Sequence, residues 1–97
     1  MCGIIGISSN KSVSATIINS LKKLEYRGYD SAGIATLFDG HINEIKSEGR
    51  VDNLEKNPLI KNMSGFVGIG HVRWATHGIP NTINAHPHSS ETVSVVH

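Results

Sequence analysis

The sequence predicts an α+β domain, and three observations carry that expectation. A short Ile-rich run, "CGIIGIS", precedes a single amphipathic helical stretch; an Asp-Gly pair joins two strand-like runs; and a second apolar run, "GFVGIGHVR", comes late in the chain. The order is therefore strand, helix, hairpin, weak helix, strand, loop, strand, with no internal repeat, low-complexity stretch or linker. At 97 residues the chain is one small domain. A chain of this length buries only about two-thirds of its unfolded surface, so the core is thin.

Taken in order, "CGIIGIS" reads as a short buried strand closed by the polar turn "SNKS". From about Ser12 to Glu25, Val13, Ile17, Leu21 and Leu24 recur at three- and four-residue spacing, with Lys22, Lys23 and Glu25 on the other side. That is a helix with one apolar stripe. Asn10 or Ser12 is the expected N-cap, and Gly28 lies just past the C-terminus. "SAGIATLF" is a strand, and Asp39-Gly40 before "HINEIKS" is a type I′ hairpin signal. Ile42 and Ile45 do not alternate strictly, so the second strand is half-exposed. A short helix is expected around "VDNLEKN", broken by Pro58. "GFVGIGHVRWATHG" is an apolar strand that delivers polar residues at its end, "IPNTINAHPHSSE" is a loop, and "TVSVVH" is a β-branched strand. No turn signal follows that last strand, which suggests the front part of something longer.

Composition removes several classes of function. The formal net charge is +1 and the basic residues are spread out, so nothing points to a polyanion; no nucleic-acid partner is expected. The apolar runs fall far short of the roughly 20 residues that cross a bilayer, and no charged n-region precedes a signal-like core. No membrane partner is expected. A lone cysteine excludes a disulfide framework and fits a cytoplasmic setting.

Cys2 allows two readings. It is a small buried hydrophobe beside a strand, since free cysteine is among the most buried residue types. Alternatively, removal of Met1, favoured before a small residue, turns it into an N-terminal nucleophile. Its α-amine, titrating near about 8, would then serve as base for a thiol titrating near about 8.5. Arg73 is similarly open. At the end of an apolar strand it would face solvent and clamp a carboxylate through two parallel N–H groups, with Trp74 closing over the ligand; or it is a surface arginine stacked on Trp74. His71, His77, His86, His88 and His97 gather nearby in sequence. Their spacing lacks HxxxH on one helix face and any CxxC partner, so loop-anchoring hydrogen bonds are favoured over a metal, and no metal or cofactor is expected.

Three stretches in the right order and spacing, "MCGIIG", "LEYRGYDSAGIA" and "GHVRWATHGIPNTINAHPH", resemble the class II glutamine amidotransferases, the N-terminal-nucleophile glutaminases. Within that class, "EYRGYDSAG", "RWATHG" and "NAHPH" resemble the branch that makes amino sugars from fructose 6-phosphate. They fit less well the branches carrying HRGQD or HRGPD in the second motif. The resemblance implies L-glutamine as substrate and assigns Cys2 as the nucleophile that forms a γ-glutamyl thioester and releases ammonia. It matches Arg73 to the arginine that binds the glutamine α-carboxylate. Trp74, Thr76 and His77 match a mobile loop that closes on glutamine, Trp74 also gating ammonia, and Arg27 and Gly28 match a turn beside the nucleophile.

The resemblance also implies a four-layer αββα sandwich, the Ntn-hydrolase fold, of which residues 1–97 supply about the first half as the N-terminal portion of the glutaminase domain. An Asn-Gly oxyanion hole and an aspartate for the glutamine α-amine would follow after His97, as would the isomerase domains that use fructose 6-phosphate. Losing one oxyanion-hole donor typically costs on the order of 10²–10³ in turnover, so the chain alone is expected to be inactive unless a C-terminal complement chain completes it. A non-catalytic remnant or interaction fragment, or the glutaminase part of another amidotransferase of the class, are the competing readings.

Overall fold

The computed structural model describes residues 2–74 and 81–97, with Arg27 described in its main chain only. Four antiparallel strands form the main sheet in the order β1-β4-β2-β3, where β1 is Gly3–Ser8, β2 Ser31–Phe38, β3 His41–Glu48 and β4 Val67–Arg73. Helix α1, Ser14–Leu24, and the short α2, Val51–Glu55, cover one face. These are the helix layer and one sheet of the expected sandwich.

The helix-facing sides of the strands present Ile5, Ile7, Ala32, Ile34, Ile45 and Val72 to Val13, Ile17, Ile18 and Leu21 of the α1 segment. Gly68 and Gly70 of β4 let α1 come close: a Cβ there would stand 2.7 Å and 2.6 Å from Ile17. Val51 and Leu54 of α2, with Ile60 and Met63 beyond it, close the core at the β3 end.

Several expectations are refined. Neither Asn10 nor Ser12 caps α1. Val13 takes the N-cap position without a side-chain bond, because its own N–H is tied to the Gly65 carbonyl at 3.0 Å and its apolar side chain is needed in the core. Strand β1 is not buried on both sides; as an edge strand it alternates, with Ile4 half-exposed on the face away from α1. Pro58 both ends α2 and opens a 3-10 turn over Pro58–Asn62, where the Asn57 side chain accepts from the Leu59 N–H at 3.0 Å. The hairpin follows the sequence signal: Asp39 and Gly40 both have positive φ, as a type I′ turn requires.

The last expected strand is the largest correction. "TVSVVH" does not join the main sheet. Only Ser94–Val95, β6, is extended, and it pairs with His88–Ser89, β5, in a two-residue ribbon. Ser94 lies beside Ala35, Leu37 and Val67, so the ribbon sits on the sheet face opposite α1.

Candidate active site

Strand register builds the site. Gly3 faces Val72 across β1 and β4, which brings Cys2 level with Arg73. Alternation puts both side chains on the face away from α1. Cys2 is half-buried, and its thiol donates weakly to the main-chain oxygen of Trp74 at 3.9 Å.

Arg73 does not face solvent as expected at a strand end; it is only 8 % exposed. Pairing of Ser31 with Arg73 across β2 and β4 brings Asp30 alongside, its Oδ1 3.8 Å from the Arg73 Nη1. The Asp30 N–H also donates to the Arg73 carbonyl at 2.8 Å. Sequence reasoning missed Asp30, because what sets it beside Arg73 is the long-range pairing of the start of β2 with the end of β4, which no local signal announces.

Trp74 is 51 % exposed and packs on the turn at Gly28. There φ is +124°, and a Cβ would stand 2.6 Å from the indole Cε3, so only glycine meets both demands. Arg27 ends the 3-10 turn Glu25–Arg27 that leads into Gly28. The expectations for Thr76 and His77, and for the Arg27 side chain, fall outside the described residues.

Cys2, Arg73 and Trp74 line one cavity of about 400 Å³ together with Asn84, His86, His88 and His97. That volume lies within the roughly 300–1,000 Å³ of small-molecule sites. A cavity of about 480 Å³ between β3 and the 3-10 turn at Pro58 has neither a thiol nor a cationic side chain in its lining, so the chemistry selects the one that holds Cys2.

The wall opposite Cys2 is histidine. The His86 ring stacks on His71 at 4.3 Å between centroids and meets the edges of His88 and His97 at 4.4 Å and 4.6 Å. His71 Nε2 lies 2.6 Å from the main-chain oxygen of His97, the loop-anchoring bond anticipated for these residues. Burial holds His86 down to about 4, helped by the neighbouring imidazoles of His71, His88 and His97 and by the Arg73 cation. Burial likewise lowers His71. Among the described residues, no three of His, Cys, Asp and Glu converge as a metal site.

No family model matches the chain. Among solved structures, it is similar to the glutamine phosphoribosylpyrophosphate amidotransferase from B. subtilis, complexed with ADP and GMP. The TM-score is 0.73 at 27 % identity, over 90 % of this chain and 18 % of that one. With a cysteine at the head of the sheet, this likeness defines the class: a part of an Ntn-hydrolase glutamine amidotransferase domain.

Sequence relatives narrow it. The chain is 52 % identical over 97 residues to the glutamine–fructose-6-phosphate aminotransferase (isomerizing) of Mesorhizobium japonicum. It is 54 % identical over 97 residues to that of Bradyrhizobium diazoefficiens and 58 % identical over 100 to that of Clostridium acetobutylicum. The chain belongs to this family and matches the N-terminal part of its glutamine domain. All of the chain is covered, but it spans only 16 % of the length of these relatives.

Proposed function

We propose that this chain carries the nucleophile and the carboxylate clamp of a glutamine-dependent amidotransferase. The observation that supports this most directly is the shared cavity of Cys2, Arg73 and Trp74. In this reading Met1 is removed, Arg73 takes the α-carboxylate of L-glutamine, and the side-chain amide is presented to sulfur. Holding the far end of the substrate in this way removes most of its residual freedom.

The Cys2 α-amine takes the thiol proton, and the thiolate adds to the amide carbon. The C–N bond then breaks as the leaving NH₂ receives that proton from the α-ammonium, giving ammonia and a γ-glutamyl thioester. Water cleaves the thioester to glutamate and returns the thiol. Asp30 keeps the Arg73 cation oriented, and Trp74, seated on Gly28, forms the rim. Thr76 and His77 are proposed to close over glutamine, and Arg27 to shape the turn beside Cys2. In the whole protein, the ammonia would convert fructose 6-phosphate to glucosamine 6-phosphate; the chain alone is proposed to bind and be acylated without efficient turnover.

An electrophilic glutamine analogue tests the reading, with intact mass and peptide mapping and Cys2→Ala as blank. Expected is a chain lacking Met1, labelled once at Cys2 and protected by excess glutamine. A chain lacking Met1 with Cys2 unlabelled, while iodoacetamide labels it, would overturn the proposal.

A further inference from the structure

Among the described residues, two buried ring nitrogens, Nδ1 of His71 and Nδ1 of His86, have no hydrogen-bond partner. Both belong to the stack that walls the Cys2 cavity. The main-chain oxygen of His97, a carboxylate oxygen in the 97-residue chain, can only accept, so the His71 Nε2 beside it carries the proton. The Nδ1 of neutral His71 is then a buried lone pair. Adding a proton to it would create a buried charge with nothing to receive its N–H, against the stacked face of His86. His86 is 6 % exposed and its Nδ1 is also buried without a partner, so a doubly protonated ring there would bury an N–H that no described group receives.

The charges around the stack point the same way. His86 faces His71 and Arg73 from β4, His88 from β5, and His97 from the segment after β6. The acids on this side are Asp30, at Arg73, and the α-carboxylate of the 97-residue chain at His97, which lies on the Nε2 edge of His71 and away from its Nδ1; Glu44 of β3 accepts from the Ser89 hydroxyl beyond the stack. A cation at His86 would meet three imidazoles and a guanidinium. The main chain adds a geometric constraint, because the His86 carbonyl lies so close to β2 that a Cβ on Gly33 would stand 1.9 Å from it. The wall therefore fits the sheet in one position.

We propose that His86 is a positioning residue for the Cys2 cavity: its neutral imidazole, packed on His71, fixes residues 84–97 as the cavity wall, and protonation of the histidine stack releases that wall. Both groups are lowered in the folded chain, so the wall is fully seated above the ordinary histidine value of about 6.5. It loosens as the pH falls from there towards 4, the value to which burial holds His86. In its first readout below, the inference rests on the glutamine reading of the cavity; in its second it does not.

The test uses the 97-residue chain with His86→Phe and His86→Ala. The first readout is the labelling rate of Cys2 by the electrophilic glutamine analogue divided by that by iodoacetamide, which cancels the thiolate fraction common to both. The second is the NMR signal of two wall amides, Ala85, which donates to Asn81, and Ser90, which donates to Val93. For the unaltered chain, the ratio falls at least about tenfold between about pH 7 and 5, and the two amides shift with the same midpoint while those of β2 stay in place. His86→Phe keeps the ring and removes the titrating nitrogens. Normalised to its own neutral plateau, its midpoint moves down by about one pH unit or more. His86→Ala weakens the wall at every pH.

A His86→Phe profile that superimposes on the original, or wall amides that stay fixed while the histidine rings titrate, would overturn the inference. Should His86→Ala unfold the chain, His86→Phe decides alone. If the analogue never labels Cys2 but the amides still show acid release, the glutamine reading fails and the wall stands.

Discussion

Gly33 shows what one hydrogen atom in place of a methyl does here. It lies on β2, one of the two interior strands, and its missing side chain leaves room for the His86 carbonyl and the Pro87 ring, which a Cβ would meet at 1.9 Å and 2.9 Å. Gly33→Ala must push the 84–97 wall off the sheet, since the atom it strikes is main chain and cannot rotate away. The expected cost is about 1–3 kcal/mol in denaturant unfolding, with Cys2 labelling by the glutamine analogue reduced more than labelling by iodoacetamide. Gly6→Ala is the control. Its methyl would meet only Ile69 at 3.9 Å, so its effect should stay within about 0.5 kcal/mol. Equal effects at the two glycines would contradict the account. At this scale the sequence made Cys2 and Arg73 legible as chemical candidates, through position two and the end of an apolar run. Their shared cavity was not legible, because it arises from β1 pairing with β4 across most of the chain. His86, His88 and His97 were legible as loop anchors, yet the central place of His86 exists only where four rings meet in space.

Among the elements, α1 bears most on the core. Its stripe has little tolerance, because Ile17 is fully buried and sits over two glycines of β4 that leave no side chain to fill a gap. Ile17→Ala is expected to cost about 2–5 kcal/mol, a large share of the stability of a domain this small, read as a lower urea midpoint with an unchanged slope. A loss below about 1 kcal/mol would mean that α1 collapses onto the sheet more freely than its packing indicates. The stripe was readable at Val13, Ile17, Leu21 and Leu24, and the hairpin at Asp39-Gly40, since local periodicity and turn chemistry decide both. The cap was not readable. A tertiary bond from the Val13 N–H to Gly65 takes over what a polar side chain does in an isolated helix. "TVSVVH" misled for a related reason: β-branched composition marks a strand, but the partner and length of that strand depend on which edge is open.

On the scale of the whole molecule, the two faces of the sheet differ. Helices cover one, whereas the other carries Ile4, Leu37, Val67 and Val95, each about half-exposed, around the small β5–β6 ribbon. In the four-layer sandwich this face packs on a second sheet, so within these residues it stays wet at a cost that grows with apolar area, about 25 cal/mol per Å². Leu37 and Val67 are cross-strand partners, the last pair of the β2–β4 ladder, and both line the apolar hollow beside Ser94. Replacing them with an opposite-charge pair, Leu37→Lys with Val67→Glu, removes two of the patch's apolar side chains while keeping a favourable contact between the strands. The chain should therefore bind a hydrophobic dye such as anilinonaphthalene sulfonate in its folded state, and the double variant should bind severalfold less dye and reach a higher soluble concentration. Folding must be unimpaired for this comparison, which the amides of β2 and β4 report, because both substituted side chains lie on the face away from α1. If the dye ignores the original chain, or binds the variant equally, the exposed face is not the apolar surface that its strand alternation describes.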